Sequence, residues 1–142
     1  MDYELFRNGV LNWVVSMQID QTQFKMNENA DYTIFTSCFA LFIFDLFNQV
    51  KAWSQKKRYQ WIDYINTFQD KDSGYFMPEN FIGKFNTKPV HQLTAFCLSA
   101  LGIFNASPKY DLKFLNQWKK PEDVYNYLRD KGCFHGVPGS GV

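Results

Sequence analysis

Apolar residues recur along this chain at the spacing of helices, and no stretch keeps the alternation of a strand. Residues 3–17 place Leu5, Phe6, Val10, Trp13, Val14 and Met17 on one helical side. Residues 18–32 are polar, with Asn and Asp, and predict a loop. From Thr33 to about Val50 the chain is apolar nearly all round, the pattern of a helix surrounded by protein. Ser54 predicts an N-cap, followed by a third helix with Tyr59, Trp61, Ile62, Ile65 and Phe68 on one side. Residues 69–88 form a long loop rich in Gly, Asn and Asp, a kind uncommon in compact domains unless it serves function. Pro89 suits the first turn of a second very apolar helix, which residues 105–108 end. Residues 110–118 predict one or two helical turns. Pro121 opens a last helix, with acids in its first turn and bases in its last, and Gly132 fits its C-terminal cap. The pattern predicts an all-α fold in a single domain, residues 1–131. Residues 132–142 have no periodicity and form either a flexible tail or a truncation point.

Two stretches of this pattern correspond. Tyr64-Ile65 is followed by three residues, Gln69, four residues, Gly74, one residue and Phe76. Trp13-Val14 is followed by three residues, Gln18, a short turn and Phe24. Each then runs through a polar loop into a very apolar helix, from Thr36 in the first case and from Thr94 in the second. The physics of such a unit is coherent. The Gln ends the helix and can donate and accept at backbone groups left open there. Gly74 permits a positive φ. The Phe folds back on the hairpin, and the next helix is apolar all round because it lies inside.

The second unit resembles the QW repeat of the terpenoid cyclases. Similar repeats occur in protein prenyltransferase β-subunits, in other α/α toroids, and in toroid domains that accompany bacterial polysaccharide genes. Phe76 stands where the family usually has Trp, and the first unit has Thr22 in place of the Gly. The resemblance covers roughly residues 10–104 and implies helical hairpin repeats forming a partial α/α toroid. A closed ring needs more helices than this chain supplies. That implies an open arc, a fragment, or a ring completed in trans by a protein partner or homo-oligomer. The family's Asp-x-Asp-Asp and Asp-Asp-x-x-Asp motifs are absent, and its zinc ligands have no counterpart. No cofactor and no metal are therefore expected.

Bulk properties narrow the function classes. Fifteen basic against fourteen acidic residues leave a formal charge of +1, so no strong field steers nucleic acid or an anionic membrane. Lys56-Lys57-Arg58 is the one basic cluster, ordinarily a solvated helix face, with targeting or phosphate binding as the alternative. Basic residues do not interleave with the aromatics, so no nucleic-acid partner is expected. The most apolar stretch, residues 36–47, is too short for a transmembrane segment and is interrupted by Asp45. With Asp2 and Glu4 where a secretory signal would be basic, and three widely spaced cysteines, the expectation is a cytoplasmic protein with reduced thiols. Aromatic residues make up 19% of the chain, which promises extensive packed surface.

The candidate chemistry is thin. His91 and Gln92 fall in the first turn of the second apolar helix, where toroids have the mouth of their cavity. His91 can act as a general base and Gln92 can bind a substrate oxygen, or both can simply finish an exposed helix end. Asp70, Asp72 and Glu79 lie in the long loop. Paired carboxylates can do acid–base work on a glycosidic bond or bind a hard cation, with Asp72 placed at the cavity mouth beside His91, although Asp70 and Asp72 also suit plain turn formation. Tyr32, Tyr75 and Phe81 can form an aromatic platform for a carbohydrate or isoprenoid ligand, or plug the core. Cys97 predicts an inert buried thiol, and Cys133 with His135 offers at most half a metal site. Two functions remain open. One is a ligand cavity at the inner-helix N-termini within a carbohydrate- or isoprenoid-processing protein. The other is a non-catalytic interaction module that completes its ring by association.

Overall fold

The computed structural model describes residues 2–84 and 87–130. Among the described residues there are five α-helices: α1 (Tyr3–Ser16), α2 (Ile34–Leu46), α3 (Gln55–Asn66), α4 (Lys88–Ile103) and α5 (Pro121–Asp130). Short 3-10 turns occur at Val50–Ala52 and Lys113–Gln117. Among the described residues there is no strand, only three isolated antiparallel bridges. The predicted tail, the Gly132 cap, and Cys133 with His135 lie outside the described residues.

Local chemistry starts the helices where the sequence suggests. Asp2 Oδ1 accepts from the N–H groups of Glu4 (3.0 Å) and Leu5 (3.3 Å), capping α1. Thr33 and Thr36 form a reciprocal box at the start of α2, and Ser54 Oγ accepts from Lys57 N–H at the start of α3. Both apolar helices end alike. Asn48 and Asn105 take left-handed backbone conformations with φ of 57° and 54°. The following N–H then reaches back into the last turn, Gln49 to Phe44 O (2.8 Å) and Ala106 to Leu101 O (3.1 Å). The left-handed Asn48 ends α2 at Leu46, so the apolar run to Val50 is a helix followed by a 3-10 turn rather than one helix.

The layering follows the apolar pattern. α2 packs chiefly on α4, with α1 against α2 and α3 against α4. Ile34, Cys38 and Leu41 meet Leu93, Cys97 and Leu101 at the centre, joined by Trp61 and Ile65 of α3 and by Phe24 and Phe76 from the loops. Each of these large side chains contributes about 1.5–3 kcal/mol by leaving water. The outer helices are less covered than their spacing predicts. Only Val14 of α1 is buried, while Leu5, Phe6 and Trp13 stay open. α2 is not surrounded either, since Phe39 and Leu46 are exposed.

The two helix–turn–Phe segments make the same backbone bonds. Gln18 bridges Phe24 and Gln69 bridges Phe76. Lys25 N–H donates to Met17 O, and Met77 N–H donates to Phe68 O, each at 2.9 Å. Inside these pairs Ile19 N–H donates to Gln23 O (2.9 Å) and Asp70 N–H to Tyr75 O (2.8 Å). Each Phe is then held by a Thr of the next apolar helix: Thr36 Oγ1 donates to Phe24 O, and Phe76 N–H donates to Thr94 Oγ1 at 3.0 Å. No helix among the described residues is long and apolar enough to cross a membrane.

Candidate functional site

The long loop after α3 does more than reverse the chain. Gln69 is buried where α3 ends, and its amide ties two chain segments together. Its Nε2 donates to Gly74 O (3.2 Å) and to Tyr110 O (2.8 Å), while its Oε1 accepts from Tyr110 N–H (2.8 Å). Asn66 Oδ1 accepts from Lys109 N–H (2.9 Å), and Ser73 O accepts from Phe114 N–H (2.9 Å). Residues 109–114 are thereby laid across the hairpin. Gly74 makes this approach feasible: its φ is +82°, and a Cβ there would stand 2.3 Å from Asp111 O.

This docking builds a stack of rings. Phe114 lies on Tyr75 with centroids 4.1 Å apart, and Tyr75 lies on His91 at 5.4 Å. Tyr127 of α5 places its hydroxyl 3.1 Å from His91 Nδ1, and Trp118 packs edge-on against Tyr127 at 5.1 Å. Beside the stack is a cavity of about 250 Å³. One wall is α4, with His91, Thr94, Ala95 and Leu98; the other is the 112–118 segment, with Leu112, Phe114, Leu115 and Trp118. Burial pushes the Tyr75 phenol above its ordinary range, against the lowering effect of a hydrogen bond with Gln117. Among the described residues no carboxylate lines this cavity. Its chemistry is an apolar body with hydrogen-bonding capacity gathered at the His91 end.

Of the residues anticipated from sequence, His91 and Tyr75 are brought together here. Gln92 is exposed on α4 and does not line the cavity. Asp72 is exposed in the turn between Asp70 and Gly74, away from His91's cavity. Asp70 is a turn former: its Oδ2 accepts from Ser73 Oγ (2.6 Å) and Ser73 N–H (2.7 Å), and the Ser73 hydroxyl foremost holds its carboxyl below the usual range. Tyr32 is exposed and bridges Lys25, and Phe81 is half-buried with its ring close to Gly83. Neither lines the cavity. Glu79 serves the fold, its Oε1 accepting from Ile34 N–H (2.6 Å) in the first turn of α2.

Phe114, Trp118 and Tyr127 were not anticipated. Their only sequence signal is the aromatic pair four residues apart in the 110–118 segment, which reads equally well as ordinary packing. Among the described residues no group of three or more His, Cys, Asp or Glu side chains could hold a metal ion. Cys38 and Cys97 are free thiols buried between α2 and α4. A hydrogen bond to Cys38, with burial, pushes the Cys97 thiol far up and leaves it unreactive. No family model, no curated protein and no solved structure matches this chain.

Proposed function

We propose that the chain is a ligand-binding module of the α/α-toroid type, built from two helical hairpin repeats. Its cavity takes an apolar, isoprenoid-like molecule with one polar end set against His91. The repeated Gln–Phe bridges, the matching bonds around them and the two Asn-terminated apolar helices support the hairpin-repeat reading. The cavity composition carries the choice of ligand. A sugar of comparable size presents hydroxyls on every side and needs a partner for most of them. Ala95, Leu98, Leu112 and Leu115 offer none, whereas they suit a hydrocarbon chain. Binding is the proposed activity. Among the described residues the cavity has, beside His91, no carboxylate to serve as a second acid or base.

Geraniol is a suitable probe. At about −0.5 kcal/mol for each of about eleven non-hydrogen atoms, the expected Kd is ~0.1 mM. Calorimetry on the purified chain should show this affinity, and His91→Ala should weaken it about fivefold through one lost hydrogen bond. A Leu98→Asp variant that stays folded should abolish it. Equal affinity for geraniol in Leu98→Asp and the parent chain sinks the assignment, and so does tighter binding of glucose than of geraniol.

A second reading rests on a different observation. Phe35, Phe39 and Phe42 of α2 gather around Phe96 of α4 at 6.0, 5.3 and 6.1 Å. With Leu46 they form an aromatic face of the two apolar helices that is partly open. Such a face favours an interaction module that completes its ring by association. Light scattering decides between a monomer and a dimer that Phe39→Lys dissociates.

A further inference from the structure

The Lys56-Lys57-Arg58 run opens α3, and its three cations have different surroundings. Arg58 Nη2 donates to Val50 O at 3.1 Å and is committed to the fold. Lys57 Nζ lies 4.0 Å from the centroid of the Trp53 ring. Lys56 stands on the rim of a cavity of about 380 Å³, shared with Gln18, Gln21, Ser54, Lys57 and Gln60. A second cavity of about 190 Å³ has Gln18, Gln21 and Lys57 in common with it and leads inward to Gln49, Trp53 and Trp61. Together they are one trough between the end of α1 and the start of α3. It shares no residue with the cavity at His91.

The outer part of the trough is polar and the inner part mostly aromatic and apolar. Ser54 Oγ takes up Lys57 N–H of α3, which leaves the N–H groups of Gln55 and Lys56 directed out of the first turn. Among the described residues no carboxylate lines either cavity. At the inner end, Trp61 is stacked between Phe24 (5.9 Å) and Trp53 (5.8 Å) and is only 1% exposed. Its indole N–H has no hydrogen-bond partner among the described residues. A donor buried without an acceptor is costly, and Lys57, Trp53 and Trp61 line the inner cavity together.

We propose that this trough binds a small molecule bearing a phosphate group. The phosphate sits on the first turn of α3 between Lys56 and Lys57, and another ligand oxygen accepts from the Trp61 indole as Lys57 swings outward. Two ammonium groups and a helix N-terminus match a dianion better than a single carboxylate. Burial holds the Lys57 ammonium below its usual range, and an anion beside it offsets that penalty.

The test uses inorganic phosphate as the probe, titrated into the whole chain and followed by ¹H–¹⁵N spectra. The chain has four tryptophans, so four indole signals can be separated, with Trp61 assigned through Trp61→Phe. The Gln55 and Lys56 amides should shift saturably, with half-saturation in the low millimolar range expected for a bare anion, and the Trp61 indole should shift with them as Lys57 leaves the Trp53 ring stacked on it. The Trp118 indole, beside the other cavity, should stay still. Combined Lys56→Gln and Lys57→Gln, both at partly open positions, should raise half-saturation at least tenfold with unchanged circular dichroism. Acetate at equal ionic strength should move nothing. Absence of a saturable shift, a shift indifferent to the two lysine changes, or an equal response to acetate would each overturn the proposal. None of these outcomes bears on geraniol binding at His91.

Discussion

Gly74→Ala tests the link between fold and site most directly. At φ +82° an added Cβ costs about 1–2 kcal/mol in any surroundings. Here it also meets backbone: Asp111 O at 2.3 Å, Leu112 Cα at 2.7 Å and Lys113 N at 3.0 Å. None of these is the end of a flexible side chain, so the 109–114 segment must lift by several tenths of an ångström. That loosens Phe114 N–H on Ser73 O and the paired bonds of Tyr110 with Gln69, at about 1 kcal/mol each. The Tyr75–Phe114 stack adds about 0.5–1.5 kcal/mol. With the bonds and the stack only partly lost, the expected loss is about 3–5 kcal/mol, a large part of a typical domain's stability. Urea unfolding followed by circular dichroism measures it. Gly102→Ala is the matched control, because a Cβ there meets nothing within 4 Å. It lies in α4 and should gain about 0.5–1 kcal/mol. A loss below 1 kcal/mol for Gly74→Ala refutes the docking of the hairpin on residues 111–113, and with it the origin of the cavity.

Gln69→Leu removes a buried amide that spans two chain segments, leaves Tyr110 N–H and O without their partner, and should cost about 2–3 kcal/mol by urea unfolding. It should also weaken geraniol binding, since Tyr110 anchors the cavity roof. Tyr64 has its pKa pushed up to about 12, first by burial, against the lowering effect of its bond with Ser37. The folded state therefore keeps the phenol proton to a higher pH than the unfolded state, whose tyrosine ionises near 10. Tyr64 adds a loss of stability as pH rises from about 10 to 12 and none below that window. Its partial exposure screens the effect to no more than about 1–2 kcal/mol. Tyr64→Phe should flatten the fall in chemical unfolding midpoints across this window, and an unchanged slope counts against the assignment.

The helices were legible because their signals are local. Ser54 caps α3 and Asn105 ends α4 where expected, whereas the left-handed Asn48 stops α2 inside a run expected to reach Val50. The pairing of Gln with Phe was legible too, since a helix end, a short turn and a returning aromatic lie within a dozen residues. What sequence hid was the pairing of residues 69–74 with 109–114, about forty positions apart. Nothing about Tyr110 marks it as the partner of Gln69, because the bonds use its backbone and almost any residue supplies those groups. Asp72 and Gln92 looked suitable for the opposite reason. Their side chains carry chemistry, but a turn and a helix face direct them away from the cavity.

The two hairpins share their backbone bonds yet differ in what their glutamines reach, and that difference places the two proposed sites. Gln18 Nε2 donates to Asp20 O, two residues away, so the first hairpin closes on itself. Its flank stays open as the trough beside α3. Gln69 instead spans to Tyr110, so the second hairpin recruits a later segment and roofs an apolar cavity against α4. The two turns differ in length, the second having one residue more between its Gln and its Phe, and in the residue two places before the Phe. Thr22 is buried in the first turn and its side chain occupies space, whereas Gly74 leaves room for Asp111 and Leu112 to come into backbone contact. One shared scheme of bonds is thus flanked by a trough on the first hairpin and by an aromatic-lined cavity on the second.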